Sequence, residues 1–181
     1  VQAYRRGVQT GARRRKAQMS PKDHCILGGV AATALYPSFG LTNAVLFWLA
    51  AVFIDIDHYI DYVYRNRFTD FSPANMVRFY NELDRFWRYP EFLAISVFQT
   101  AEFMGPLFIA TLWSGSAALE AVFIGCVFHI ILDVVYIGRN DIWFIRLYSI
   151  VEYFLRKRSL EKKGYRPLAV FSAALRPMKG R

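Results

Sequence analysis

Residues 41–64 read LTNAVLFWLAAVFIDIDHYIDYVY, and the fold turns on how this stretch is understood. No side chain from Leu41 to Ile54 carries charge; then Asp55, Asp57, His58 and Asp61 arrive together. An apolar run of this kind suits a membrane helix, and Tyr59, Tyr62 and Tyr64, interleaved with the acids, suit the headgroup level. The segment predicts a helix that carries a knot of metal-ligand side chains to one face of a bilayer.

Working outward, the same pattern recurs. Ser20, Pro21 and Asp23 form a helix start, and the helix then carries His24 through CILGGVAATALY to Pro37. PSFGLTN is an uncharged turn, so this helix and the crossing from Leu41 to Tyr59 form an antiparallel hairpin. A third crossing is expected from Pro90 to Trp113 and a fourth from Ala117 to Ile137, joined by SGS. SPANMVRFYNELDRFW, residues 72–87, reads as an amphipathic surface helix with Val77, Tyr80, Leu83 and Trp87 on one stripe. Asp141 to Leu155 suits a helix lying in the interface, and PLAVFSAAL near the C-terminus either dips into lipid or packs on the bundle. The expectation is an all-α integral membrane bundle of about four transmembrane helices. Its parts are a basic arm (1–19), the bundle (20–137) with an amphipathic insertion (72–88), and an interfacial helix with a basic tail (138–181).

Composition agrees: of 181 residues, 55% are hydrophobic and 17% aromatic, above the usual soluble range. The formal charge of +9 would suit nucleic acid on a soluble chain, but here the basic residues flank apolar runs, so nucleic acid is excluded as a partner and membrane lipid is expected. The four-span arrangement puts all 23 lysines and arginines on one side, which makes both termini cytoplasmic and the bacterial inner membrane the expected location. Cys25 and Cys126 lie within apolar stretches and read as small hydrophobes.

Ionisable groups inside spans are costly and informative. His24 opens the first span, Asp55, Asp57 and His58 close the second at the same side, and His129 and Asp133 lie in the cytoplasmic half of the fourth. Glu102, some 12 residues into the third, is expected about 18 Å deep. Asp55 and His58 are three apart and His129 and Asp133 four apart, so each pair projects from one helix face. Imidazole with carboxylate is the ligand set of zinc, manganese or iron. Asp57 lies about 100° round the helix from His58 and ligates only if the helix end unwinds or a second metal is present; orienting His24 or His58 is its other role. Asp61, beyond the apolar run, reads as surface charge, and Glu120 as a boundary residue. The competing structural readings are an ion-pair cluster of Asp55 and His58 with Arg65 or Arg67, a hydrogen-bonded His129–Asp133 pair that locks spans, and a protonated Glu102 that bridges helices.

The set of His24, DIDH at 55–58 and HIILD at 129–133 on short apolar helices resembles the bacterial inner-membrane family of predicted metal-dependent hydrolases of the LexA-regulated type, itself similar in layout to zinc-dependent phospholipases C. The resemblance covers about residues 20–137. It implies a cytoplasm-facing metal centre of His24, Asp55, Asp57, His58, His129 and Asp133. Where that family has a histidine-rich HRGxTHS-like stretch, this chain has FQTAEFMGP, with Glu102 its strong ligand and Gln99 and Thr100 weaker neighbours.

The leading expectation is therefore a membrane-embedded metal-dependent hydrolase acting on a lipid ester or phosphoester. Zinc is the first choice of ion, His24, Asp55, His58, His129 and Asp133 are its ligands, and Asp57 and Glu102 are catalytic proton handlers. The alternative is a non-catalytic membrane subunit or scaffold of a larger complex that keeps a degenerate metal or polar site. Ion transport ranks lowest, because few polar residues continue beyond Glu102. The sequence lacks HExxH, GxxxxGK and Gly-x-Ser-x-Gly, which removes the corresponding protease, phosphate-loop and serine-hydrolase classes.

Overall fold

The computed structural model describes residues 19–86, 89, 91–140 and 146–178, and within them the chain is mostly helical. The basic arm up to residue 18, Trp87, Pro90 and residues 141–145 of the expected interfacial helix lie outside the described residues. The element order is α1 (Pro21–Phe53), α2 (Ile56–Arg65), α3 (Pro73–Leu83), β1 (Ala94–Ile95), α4 (Ala101–Ser114), α5 (Ala117–Asn140), β2 (Arg146–Leu147), α6 (Ile150–Lys162) and α7 (Pro167–Leu175).

Helix α1 is a hairpin in all but hydrogen-bond labelling. Gly40 sits at φ 71° and ψ 168°, a conformation essentially reserved for glycine, and there the chain reverses. The two arms close on each other: the Trp48 indole N–H donates to the carbonyl of Cys25 at 3.1 Å, and the ring covers Gly28. Helix α5 packs along this hairpin more extensively than any other helix pair. Gly125 makes the approach possible, since a Cβ there would lie 2.3 Å from the Phe47 carbonyl oxygen and 3.0 Å from the Ala50 methyl. Ala32, Phe47 and Ala121 form the apolar centre of this three-layer contact.

The second core lies beside the first. Helix α2 leaves the line of α1 after a break at Ile54 and Asp55, and its Tyr62 and Val63 pack with Phe79 and Leu83 of α3 and Val170, Phe171 and Ala174 of α7. PLAVFSAAL thus packs on the bundle, with the Arg65 guanidinium 3.5 Å over the Phe171 ring. On α3 the buried stripe is Phe79 and Leu83 with Met76 and Tyr80, while Val77 is half exposed, so the expected stripe is shifted in phase.

Two expectations need correction. The third apolar segment does not run as one helix from Pro90. Residues 94–95 pair in parallel with 146–147, residues 97–99 form a single 3-10 turn, and α4 begins only at Ala101. The backbone there is satisfied by that pairing and by the Ala101 N–H, which donates to the Tyr148 carbonyl at 2.8 Å. Among the described residues the expected interfacial stretch is helical only from Ile150, which Ser149 caps, while residues 146–147 are extended.

Two helical stretches, Pro21–Arg65 and Ala117–Asn140, are long and apolar enough to cross a membrane. Helix α4, with 14 residues, is about 21 Å long and shorter than a bilayer's hydrocarbon core. Its outward face is apolar nonetheless: Ile109, Leu112 and Trp113 are exposed, as are Ile26 and Val30 on α1 and Ile131 and Val135 on α5.

Candidate metal centre

Three separated segments deliver the donors. The first turn of α1 supplies His24, the break between α1 and α2 supplies Asp55, with Asp57 and His58 just after it, and α5 supplies His129 and Asp133. The break is what turns Asp55 inward: as the residue before α2 it points along the bundle toward α5. The i, i+4 spacing then puts His129 and Asp133 on the α5 face that meets α1.

The donors converge. His129 Nε2 lies 3.1 Å from Asp133 Oδ2 and 3.2 Å from Asp55 Oδ1, and His24 Nε2 lies 3.3 Å from Asp133 Oδ1. His58 Nε2 is 3.6 Å from the same Asp55 oxygen. Two ligands sharing one tetrahedral ion at bond lengths of about 2.0–2.2 Å sit about 3.3–3.6 Å apart, so the His24–Asp133 and His58–Asp55 separations match polyhedron edges, while the two His129 contacts are slightly shorter and of hydrogen-bond length. The set divides into His24, His129 and Asp133, all buried, and Asp55, Asp57 and His58, of which Asp57 is buried and the other two are half-buried. The Asp55–His129 contact joins the two groups.

Protonation is fixed at one nitrogen. His129 Nδ1 is 2.7 Å from the Ala51 carbonyl oxygen, an atom that only accepts, so Nδ1 carries the proton and donates it. Nε2 is then free to be a lone-pair donor aimed between two carboxylates, the arrangement that backbone carbonyls impose on metal-ligating histidines. The His24 ring stacks on that of His129 at 3.9 Å between centroids, and its Nδ1 has no hydrogen-bond partner although it is fully buried. With the imidazoles neutral, the three carboxylates bring a charge of −3 to the cluster, which a divalent cation or protonated imidazoles must offset.

Asp57 sits behind His58. Its Oδ1 is 3.5 Å from His58 Nδ1 and its Oδ2 accepts from the Phe98 N–H at 3.3 Å, so it orients the imidazole from the side away from Asp55. Tyr80 of α3 donates its hydroxyl to the His58 carbonyl at 3.0 Å. Burial, with the Asp61 carboxylate nearby, pushes the Tyr80 hydroxyl well above its ordinary range, which keeps it a donor. Asp61 itself is held by Arg65 Nε at 2.6 Å, so the basic partner expected for Asp55 or His58 goes to Asp61.

Glu102 stands outside the cluster. It lies in the first turn of α4, exposed, and accepts from Ser149 Oγ at 2.6 Å and from the Ile150 N–H at 3.0 Å, capping α6. The expected depth assumed a helix from Pro90; since residues 91–100 form no α-helix, the carboxylate falls in the first turn of α4 and is consumed as a cap. Gln99 takes the place by the cluster instead. It is 3% exposed, and its Nε2 donates to Asp55 Oδ1 at 2.7 Å and lies 3.3 Å from His129 Nε2. Its place within FQTAEFMGP, opposite the histidine-rich stretch of the resembling family, was the available signal.

Compared with protein-family models, curated proteins and solved structures, the chain gives no match in any of the three.

Proposed function

We propose that this chain is a membrane-embedded, metal-dependent hydrolase whose centre faces the cytoplasmic headgroups and acts on a lipid ester or phosphoester. The observation that carries the proposal is that the buried His24, His129 and Asp133 each bring a ligand atom to within 4.8 Å of the others, with Asp55 3.2 Å from His129 and the His129 tautomer set for ligation. A divalent ion there, zinc being the first choice and manganese or iron the others, supplies an acidified water and a Lewis acid for the substrate oxygen. His58 is the proton acceptor: Asp57 Oδ1 lies 3.5 Å from its Nδ1, and its Nε2 lies 3.6 Å from Asp55 at the more accessible side of the cluster. The stretches 23–64 and 89–138 contain no lysine or arginine, which supports the hairpin arms and α5 as apolar membrane segments, α4 entering only part-way, with both termini on the inner-membrane cytoplasmic side. The resemblance to the inner-membrane metal-dependent hydrolases agrees with this reading and suggests the reaction class.

A second reading draws on Gln99. Its amide N–H groups reach Asp55 and His129 and so close the network without an ion, as expected of a non-catalytic membrane subunit that retains a polar lock. If Gln99 is turned about its last bond, its oxygen faces the cluster as a further metal donor. Metal analysis separates the two. Stoichiometric bound metal in the purified chain, abolished in His129→Ala, supports the hydrolase; a chain that takes up no metal and keeps its stability supports the lock.

A further inference from the structure

A groove of about 460 Å³ runs between α4 and α5, lined by Met104, Gly105 and Phe108 on one side and by Val127 and Ile131 on the other. Its volume is in the range of ligand sites, about 300–1,000 Å³. Gln99, whose amide is bonded to Asp55 and sits beside His129, is also among its lining residues. The groove and the candidate metal centre therefore share a wall.

We propose that this groove holds one acyl chain of a membrane glycerolipid, with the chain's polar end presented to the cluster past Gln99. The inference rests on the reading of the cluster as a hydrolytic metal centre and names its substrate class. Chemistry selects the occupant. No charged side chain lines the groove, so it offers a headgroup nothing; it offers methylene groups an apolar trough whose buried polar residue, Gln99, is at the cluster. Gly105 supplies the width, since nothing lies within 4 Å of where its Cβ would be. The outward faces of the same helices, with Ile109 60% and Leu112 67% exposed, meet the medium from which a tail would enter sideways. The groove between the arms of α1, about 390 Å³, is lined by Thr33, Tyr36 and Leu41 among others, includes none of the cluster residues, and gives no such route.

The test uses the full chain in detergent with a phosphatidylglycerol carrying a photoreactive diazirine in one acyl chain at near-equimolar ratio. Crosslinks are mapped by peptide mass spectrometry and bound metal is measured on the same samples. Labelling is expected on the peptides containing Met104 to Phe108 and Val127 to Ile131. Gly105→Trp, which fills the trough, should lower it about tenfold, a difference that a modest binding loss produces. Leu112→Trp, on the outward face, should leave it unchanged, and both variants should keep wild-type metal content. If Gly105→Trp fails to fold, Gly105→Leu combined with Ile131→Phe replaces it. Labelling spread evenly around α4, equal labelling in the two tryptophan variants, or chain-to-chain crosslinks at the groove would overturn the proposal even where metal binds normally. Groove labelling in a chain that binds no metal would instead remove the hydrolase reading and leave the lipid slot standing.

Discussion

His24 lies flat on His129, ring centroids 3.9 Å apart and planes within 14°, and the two Nε2 atoms address the two oxygens of one carboxylate, Asp133. One side chain thus ties the first turn of α1 to the middle of α5. Substituting His24→Ala should weaken metal affinity by at least the 10–100-fold seen when supporting residues are lost, and Asp133→Asn should do more because it touches both rings. Competition titration with a chromogenic chelator measures both, and unchanged affinity in His24→Ala would exclude it as a ligand.

Asp57 predicts a different signature. It contacts His58 Nδ1 and not the inner donors, so Asp57→Asn should retain metal while slowing hydrolysis of a lipid phosphoester by about 10²-fold, at the lower end of what a positioned acid–base group contributes. The acidic limb of the pH–rate profile, which a proton acceptor sets, should move at the same time. Retained metal with a wild-type profile would assign Asp57 to folding alone.

Gly125 should prove intolerant of side chains. A Cβ lying 2.3 Å from the Phe47 carbonyl forces α1 and α5 apart one turn from His129. Gly125→Val is expected to cost at least the 1–3 kcal/mol typical of overpacking, about enough to show plainly in thermal unfolding in detergent, and to reduce bound metal in parallel. The same substitution at Gly105, where space is open, should leave the melting temperature near wild type.

Glu102→Gln separates capping from catalysis. Loss of the carboxylate that receives Ser149 Oγ and the Ile150 N–H should speed hydrogen exchange at Ile150 and Val151 while metal content stays constant. Loss of metal in this variant would reinstate Glu102 at the centre.

The loop before α3 carries a pH response of its own. Asp70 accepts from the Tyr62 hydroxyl, the Ser72 N–H and the Asn75 amide, and these bonds hold its carboxyl below the usual aspartate range. A depressed folded value means the contribution is complete above the unfolded value of about 3.9 and fades as the pH falls through the folded one. Protection of the Ser72 amide, its exchange measured against the intrinsic rate at each pH, should therefore fall at acidic pH in the wild type. Asp70→Asn should show low protection throughout, with little change in that protection across pH.

Much of the site could be read from spacing. His129 and Asp133, and Asp55 and His58, are separated by one helical turn, so finding the helices was enough to pair them. The hairpin was legible because Pro37 and Gly40 bracket an uncharged turn between two apolar runs. What hid was the conformation of residues 91–100. An extended segment sheltered by protein is as apolar as a span, so hydropathy alone cannot separate them, and the partner that decides it, residues 146–147, is some fifty positions away. That one mistake moved Glu102 inward and concealed Gln99. The phase of α3 was missed for a related reason: α7, which selects Phe79 over Val77, lies almost a hundred residues downstream.

The parallel pairing of 94–95 with 146–147 also sets an order of events on the ribosome. Imidazole 24 and carboxylate 55 emerge first, and their counterparts at 129 and 133 and the strand that seats Gln99 follow only after a long intervening stretch. A nascent chain therefore holds the two halves of the cluster apart, and any ion the cluster takes up would enter only after the clasp has been tied.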